Sequence, residues 1–149
     1  MAAEVVNTSS DVQQLPMMLA AVKAHTESNA AQVLADAGYR SEAVMAELAQ
    51  ALPDTELVIA LGREGKQQAK PRDAQHYPYT VAMQAKFQTD KVKEDYRKRK
   101  WIAEQPNGWI KSVLGFRQFS IRGLKRAQAE FKLVCMALNL QRIGSMQMA

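Results

Sequence analysis

The chain has 149 residues, 47% hydrophobic and 23% charged, a composition that fits one soluble globular domain and excludes a disordered tract. No apolar run reaches the roughly 18 residues of a membrane span and no basic-then-apolar leader opens the chain, so a cytoplasmic location is expected. The net charge of +5 is unevenly spread: residues 1–62 carry 2 basic and 8 acidic side chains and residues 91–132 carry 12 basic and 4 acidic, which directs a polyanion to the C-terminal half.

In chain order, "AAEVV" is short, apolar and partly β-branched and is stopped by "NTSSD", which predicts a brief strand and a loop. Ser10 or Asp11 can cap a helix from about Val12 to His25, with Leu15, Met18, Leu19 and Val22 on one face. "AQVLAD" reads as a strand covered on both faces and ended by Gly38. Ser41 is a candidate cap for a helix over Glu42 to Leu52 whose stripe is Val44, Met45, Leu48 and Leu52. Pro53 and Asp54 end it, and "ELVIALG" is the clearest strand. The alternation of strand and helix with short connections predicts an α/β layering with the later strands parallel.

From Arg63 to Pro78 the chain has no apolar periodicity and reads as an exposed loop. Two helical regions follow, Val81 to Lys111, basic, with a turn expected near Pro106 and Gly108, and Leu124 to Arg142, strongly amphipathic. "GFRQFSIRG", between Gly115 and Gly123, is the bend between them. The single cysteine, Cys135, lies in an apolar run and is expected to be buried, and His25 and His76 lack a metal-ligand partner at suitable spacing.

Two carboxylates stand out. Asp36 ends a strand, where α/β folds gather functional groups, although an aspartate there also serves as a turn former. Glu104 is the one acid between Asp95 and Glu130, set among Arg97, Lys98, Arg99, Lys100 and Lys111. On an unbroken helix Lys100, Glu104 and Lys111 share a face, which reads either as a surface ion pair of Lys100 with Glu104 or as a metal-binding carboxylate beside phosphate-binding cations. Trp101, Trp109, Phe116 and Phe119 either stack on exposed bases or pack between helices.

"LADAGYRSE", "YRKRKWIAEQPNGWIKSVLGFRQFSIRGL" and "AEFKLVCMALNLQRI", in that order, resemble the C-terminal part of a bacterial insertion-sequence transposase of the DDE (Asp-Asp-Glu) type, in the branch with a Tyr-Arg-Glu-Lys signature. The resemblance runs from about Ala3 to Ile143. It implies a partial RNase H-like α/β fold: three strands with flanking helices, the first two core strands missing, then a basic helical C-terminal half. Residues 1–62 would form the strand-helix part, 63–80 a loop and 81–143 the helices.

The resemblance makes Asp36 the second and Glu104 the third of three carboxylates that hold two divalent ions, Mg²⁺ or Mn²⁺, for DNA strand cleavage and transfer. Lys111 keeps the signature spacing from Glu104, six residues between them, and would contact the DNA backbone together with Lys98, Arg99 and Lys100. The signature arginine falls on Lys100, leaving Arg97 or Arg99 to supply a guanidinium, and Tyr96 lies one residue early for the signature tyrosine. The first catalytic aspartate belongs to a strand ahead of the matched segment; Asp11 matches a loop-to-helix position instead. The implied function is a transposase fragment that is inactive by itself, with DNA, the full-length transposase or another copy of itself as partners, no membrane, and a bacterial, nucleoid-associated cytoplasmic location. The alternative is a non-catalytic basic DNA-binding or transposase-interfering protein.

Overall fold

A computed structural model describes residues 3–62 and 73–147. Most of the expected loop from Arg63 to Pro78 therefore lies outside the described residues. The chain divides into two compact units, one of residues 9–99 and one of residues 1–8 with 100–149.

The first unit is built on helix α1 (Gln14–Thr26), strand β1 (Gln32–Ala35), helix α2 (Glu42–Ala51), strand β2 (Glu56–Ile59) and helix α3 (Pro78–Lys86), followed by the first turns of helix α4 (Asp90–Ser112). β1 and β2 pair in parallel, with Val33 opposite Leu57 and Ala35 opposite Ile59. Because side chains alternate across a strand, Val33, Ala35, Leu57 and Ile59 face one core with Leu15, Val44, Met45, Leu48 and Met83. Leu34, Val58 and Ala60 face a second core with Phe87, Val92 and Tyr96. Covering both faces is what a parallel pair requires, and it explains the unbroken apolar character of "LVIA".

Local chemistry sets the boundaries. Ser41 Oγ accepts from Val44 N–H at 3.5 Å and starts α2. Neither Ser10 nor Asp11 caps α1 with its side chain; the helix begins after a turn in which Gln14 N–H donates to the Asp11 carbonyl. The N-terminus of α3 is closed from a distance: Glu42 on α2 accepts from Tyr79 N–H at 2.5 Å, Thr80 N–H at 3.1 Å and Thr80 Oγ1 at 2.6 Å. Beside β2, α3 sends Lys86 Nζ to the Leu57 carbonyl at 3.3 Å, and Ile59 N–H reaches Met83 Sδ at 3.5 Å.

Three expectations need correction. "AAEVV" forms no strand among the described residues, so the sheet has two strands there and not three. A strand needs a laddering neighbour, and this segment instead lies in the second unit, where Glu4 pairs with Lys132 of helix α5 (Leu124–Gln147) at 3.7 Å and accepts from Gln128. The basic helical stretch breaks at Phe87–Thr89, not near Pro106: α4 runs unbroken to Ser112. Proline removes one hydrogen bond, and Asn107 Nδ2 donates to the Ala103 carbonyl at 2.9 Å just beside the gap. Finally, α5 is apolar on two faces. Phe131, Cys135 and Leu138 turn inward, while Leu133, Met136, Leu140 and Ile143 form a separate exposed stripe. No helix among the described residues is long and apolar enough to cross a membrane.

Candidate functional site

β1 delivers Asp36 to its carboxyl end, exposed, at the start of a 3₁₀ turn over Ala37–Tyr39. Its Oδ1 accepts from Gly38 N–H at 2.9 Å, so Asp36 does form the turn. Gly38 allows a close approach: a methyl there would stand 3.0 Å from Asp36 Oδ1 and 4.0 Å from Asp11 Oδ2. Asp11 thus comes up beside the Asp36 turn, a long-range convergence that sequence spacing does not signal. Burial and the negative charges of Asp11 and Asp36 together push the Tyr39 hydroxyl above its ordinary pKa. Arg40 reaches from this turn to the Leu61 carbonyl, tying the carboxyl ends of the two strands together.

In the second unit, α4 carries Lys100, Glu104 and Lys111, all exposed. At 100° per residue the three fall within an arc of about 40°, and continuity through Pro106 preserves it. No ion pair joins Lys100 to Glu104; among the described residues the ion pairs of α4 are Asp90 with Lys93 at 3.0 Å and Asp95 with Lys98 at 2.7 Å. Trp101 is 69% exposed on the same helix, whereas Trp109 lines an open cleft of about 480 Å³ with Leu138 and Arg142.

Lys98 and Arg99 are engaged within the first unit. Lys98 holds the Asp95 carboxylate below its ordinary pKa, helped by Gln32, and is itself raised by Asp95. Arg99 lies over the Tyr96 ring at 5.2 Å with a buried Nε, and Tyr96 is buried edge-on against Phe87 at 5.4 Å. Tyr96 is therefore a core residue. Among the described residues no three His, Cys, Asp or Glu side chains come together as a metal-holding group. Cys135 is buried, which raises its thiol pKa, and His76 pairs with Asp73 at 2.5 Å on the surface.

A parallel α/β unit with an acid at a strand's carboxyl end, and a basic helical unit presenting a carboxylate between cations, have the features of a polyanion-handling protein. The family model described as "Transposase DDE domain" matches residues 2–140, and the chain belongs to that family. No curated protein and no solved structure matches the chain. The family acts on DNA and uses divalent metal ions.

Proposed function

We propose that the chain contributes the second and third carboxylates, Asp36 and Glu104, to the metal site of a bacterial DNA transposase of the Tyr-Arg-Glu-Lys branch, on a partial RNase H-like fold. The observation that carries this reading is the exposed face of α4 on which Glu104 lies between Lys100 and Lys111, in a chain matched over residues 2–140 to the transposase DDE domain.

The donor chemistry fits the metal: carboxylate oxygens suit the hard cations Mg²⁺ and Mn²⁺, and the second oxygen of Asp36 and the exposed carboxylate of Glu104 are available. When bound, such ions activate the attacking oxygen and stabilise the leaving oxygen of a phosphodiester. Asp36 is oriented for ligation by Gly38 N–H. Lys100 and Lys111 hold backbone phosphates beside Glu104, Arg99 adds charge from its place on Tyr96, and Lys98 would exchange Asp95 for phosphate. Asp36 and Glu104 are two of the three carboxylates such a site uses, so strand transfer is proposed to need a third acid beside them. The full-length enzyme would supply that acid and a second copy is the other proposed partner, in the bacterial cytoplasm at the nucleoid.

Calorimetric titration with Mn²⁺ tests the assignment without depending on activity. Asp36→Asn and Glu104→Gln should each weaken binding about tenfold or more, and wild-type affinity in both variants would overturn it. The second reading, a non-catalytic DNA-binding or transposase-interfering protein, is favoured by the exposed apolar stripe Leu133, Met136, Leu140 and Ile143, which suits association. It requires DNA binding that persists in Asp36→Ala and Glu104→Ala together with no specific Mn²⁺ site.

A further inference from the structure

Between α4 and α5 the chain bends through Gly115 and Gly123, both in left-handed backbone conformations at φ 68° and 97° that favour glycine. The segment between them is anchored. Glu130 on α5 accepts from Ser120 N–H at 3.0 Å and from Ser120 Oγ at 2.5 Å, which also lowers the Glu130 pKa. Phe116 packs edge-on against Phe119 at 5.4 Å and tilts against Phe131 at 6.4 Å. An open cavity of about 800 Å³ is lined by Phe116, Arg117, Glu130 and Leu133.

The charge balance of this anchored segment is one-sided. Arg117, Arg122, Lys125 and Arg126 fall within ten positions, all are exposed, and none is in an ion pair among the described residues. Glu130, the nearest acid in sequence, spends both oxygens on Ser120. Phe119 meets Phe116 in this T-shaped contact and stays 43% exposed. Unneutralised cations on a held backbone, with a partly exposed aromatic side chain among them, are the elements of single-stranded nucleic-acid contact: charge for the phosphates and a π-system for a base.

We propose that the segment from Gly115 to Arg126 is a second DNA-contact surface, in which Arg117, Arg122, Lys125 and Arg126 take backbone phosphates and Phe119 stacks on an unpaired base. The choice of DNA rests on the transposase reading, while the residues differ from the carboxylates and from the cations of α4. Readout here is of backbone and base stacking, so it tolerates sequence and favours DNA with an unpaired stretch over a closed duplex.

The test is fluorescence anisotropy of the full chain with a labelled single-stranded oligonucleotide and its duplex, over a salt series. The combined variant Arg117→Gln, Arg122→Gln, Lys125→Gln and Arg126→Gln should flatten the log affinity against log salt slope by about 2 to 3 on the single strand. The pair Arg122→Gln and Arg126→Gln, whose side chains make no hydrogen bond among the described residues, should remove about half of that without altering the circular dichroism spectrum. Phe119→Ala should weaken single-strand binding at least fivefold, leave the salt slope unchanged and affect the duplex less. Wild-type slopes in both charge variants, with Lys100→Gln and Lys111→Gln alone lowering the slope, would overturn this surface and leave the transposase reading standing. Absence of DNA binding by the wild-type chain would overturn both.

Discussion

Replacing Glu42 by alanine isolates how the first unit holds its helices. Tyr77, the residue before α3, supplies no side-chain cap, and the helix opens with Pro78, so the N–H groups of Tyr79 and Thr80 depend on Glu42 from α2. Thr80 is buried, and its hydroxyl also donates to this carboxylate at 2.6 Å. Losing a helix cap costs about 0.5–2 kcal/mol, and leaving a buried hydroxyl unpaired adds about 1–3 kcal/mol. The bonds share one carboxylate and are not additive, so the expected loss is about 3 kcal/mol for Glu42→Ala. Glu42→Gln keeps an acceptor and should lose about 1 kcal/mol. Urea denaturation followed by circular dichroism reads the change as a lower midpoint at unchanged slope. A cycle with Thr80→Val should show coupling above about 0.5 kcal/mol. A loss below about 1 kcal/mol for Glu42→Ala, or equal losses for alanine and glutamine, would refute the reasoning.

Asp95 has its pKa lowered by Lys98, so its contribution to stability is present above the ordinary carboxylate pKa and is lost as pH falls through the lowered value, below about pH 4. Thermal melts on acidification should show this loss in the wild type and a smaller one in Asp95→Asn. Gly38→Ala should displace the Asp36 carboxylate, since the new methyl would stand 3.0 Å from Oδ1, and lower Mn²⁺ affinity with little change in the melting temperature. Wild-type Mn²⁺ affinity would show that the turn does not orient Asp36. Cys135, buried and with a raised thiol pKa, should react with a thiol reagent only as the chain unfolds; rapid reaction in native buffer would contradict its place in the core.

How much of this was legible depended on whether the cause was local. β1, its glycine turn, the Ser41 cap, α2 and β2 follow from neighbours in sequence: a β-branched or apolar run, a turn residue, a capping hydroxyl. Cys135 was legible for the same reason. "AAEVV" has the composition of a strand, but strand propensity is satisfied only by a partner strand, and Glu4 finds α5 instead. Pro106 does not end its helix, since a 23-residue helix absorbs one missing bond that would end a short one. Tyr96 is the instructive residue. The resemblance sets it one residue from the signature tyrosine, whereas it packs with Val92 and Phe87 in a core of the first unit. The approach of Asp11 to the Asp36 turn and the reach of Glu42 to α3 join residues 25 and 37 or more positions apart, beyond any local pattern. On the helix of Glu104, spacing alone placed Lys100 and Lys111 on one face, and only the unbroken path through Pro106 decides that they stay there.

The central claim is that Asp36 and Glu104 bind a divalent cation. Replacing Mg²⁺ by Fe²⁺ with ascorbate and peroxide releases hydroxyl radicals at the ion, and the cut sites in the protein backbone map its ligands. Cuts beside both Asp36 and Glu104, suppressed by excess Mg²⁺ and abolished in Asp36→Asn and in Glu104→Gln, are the expected result. Cuts that fall elsewhere, or that persist unchanged in both variants, would contradict the assignment.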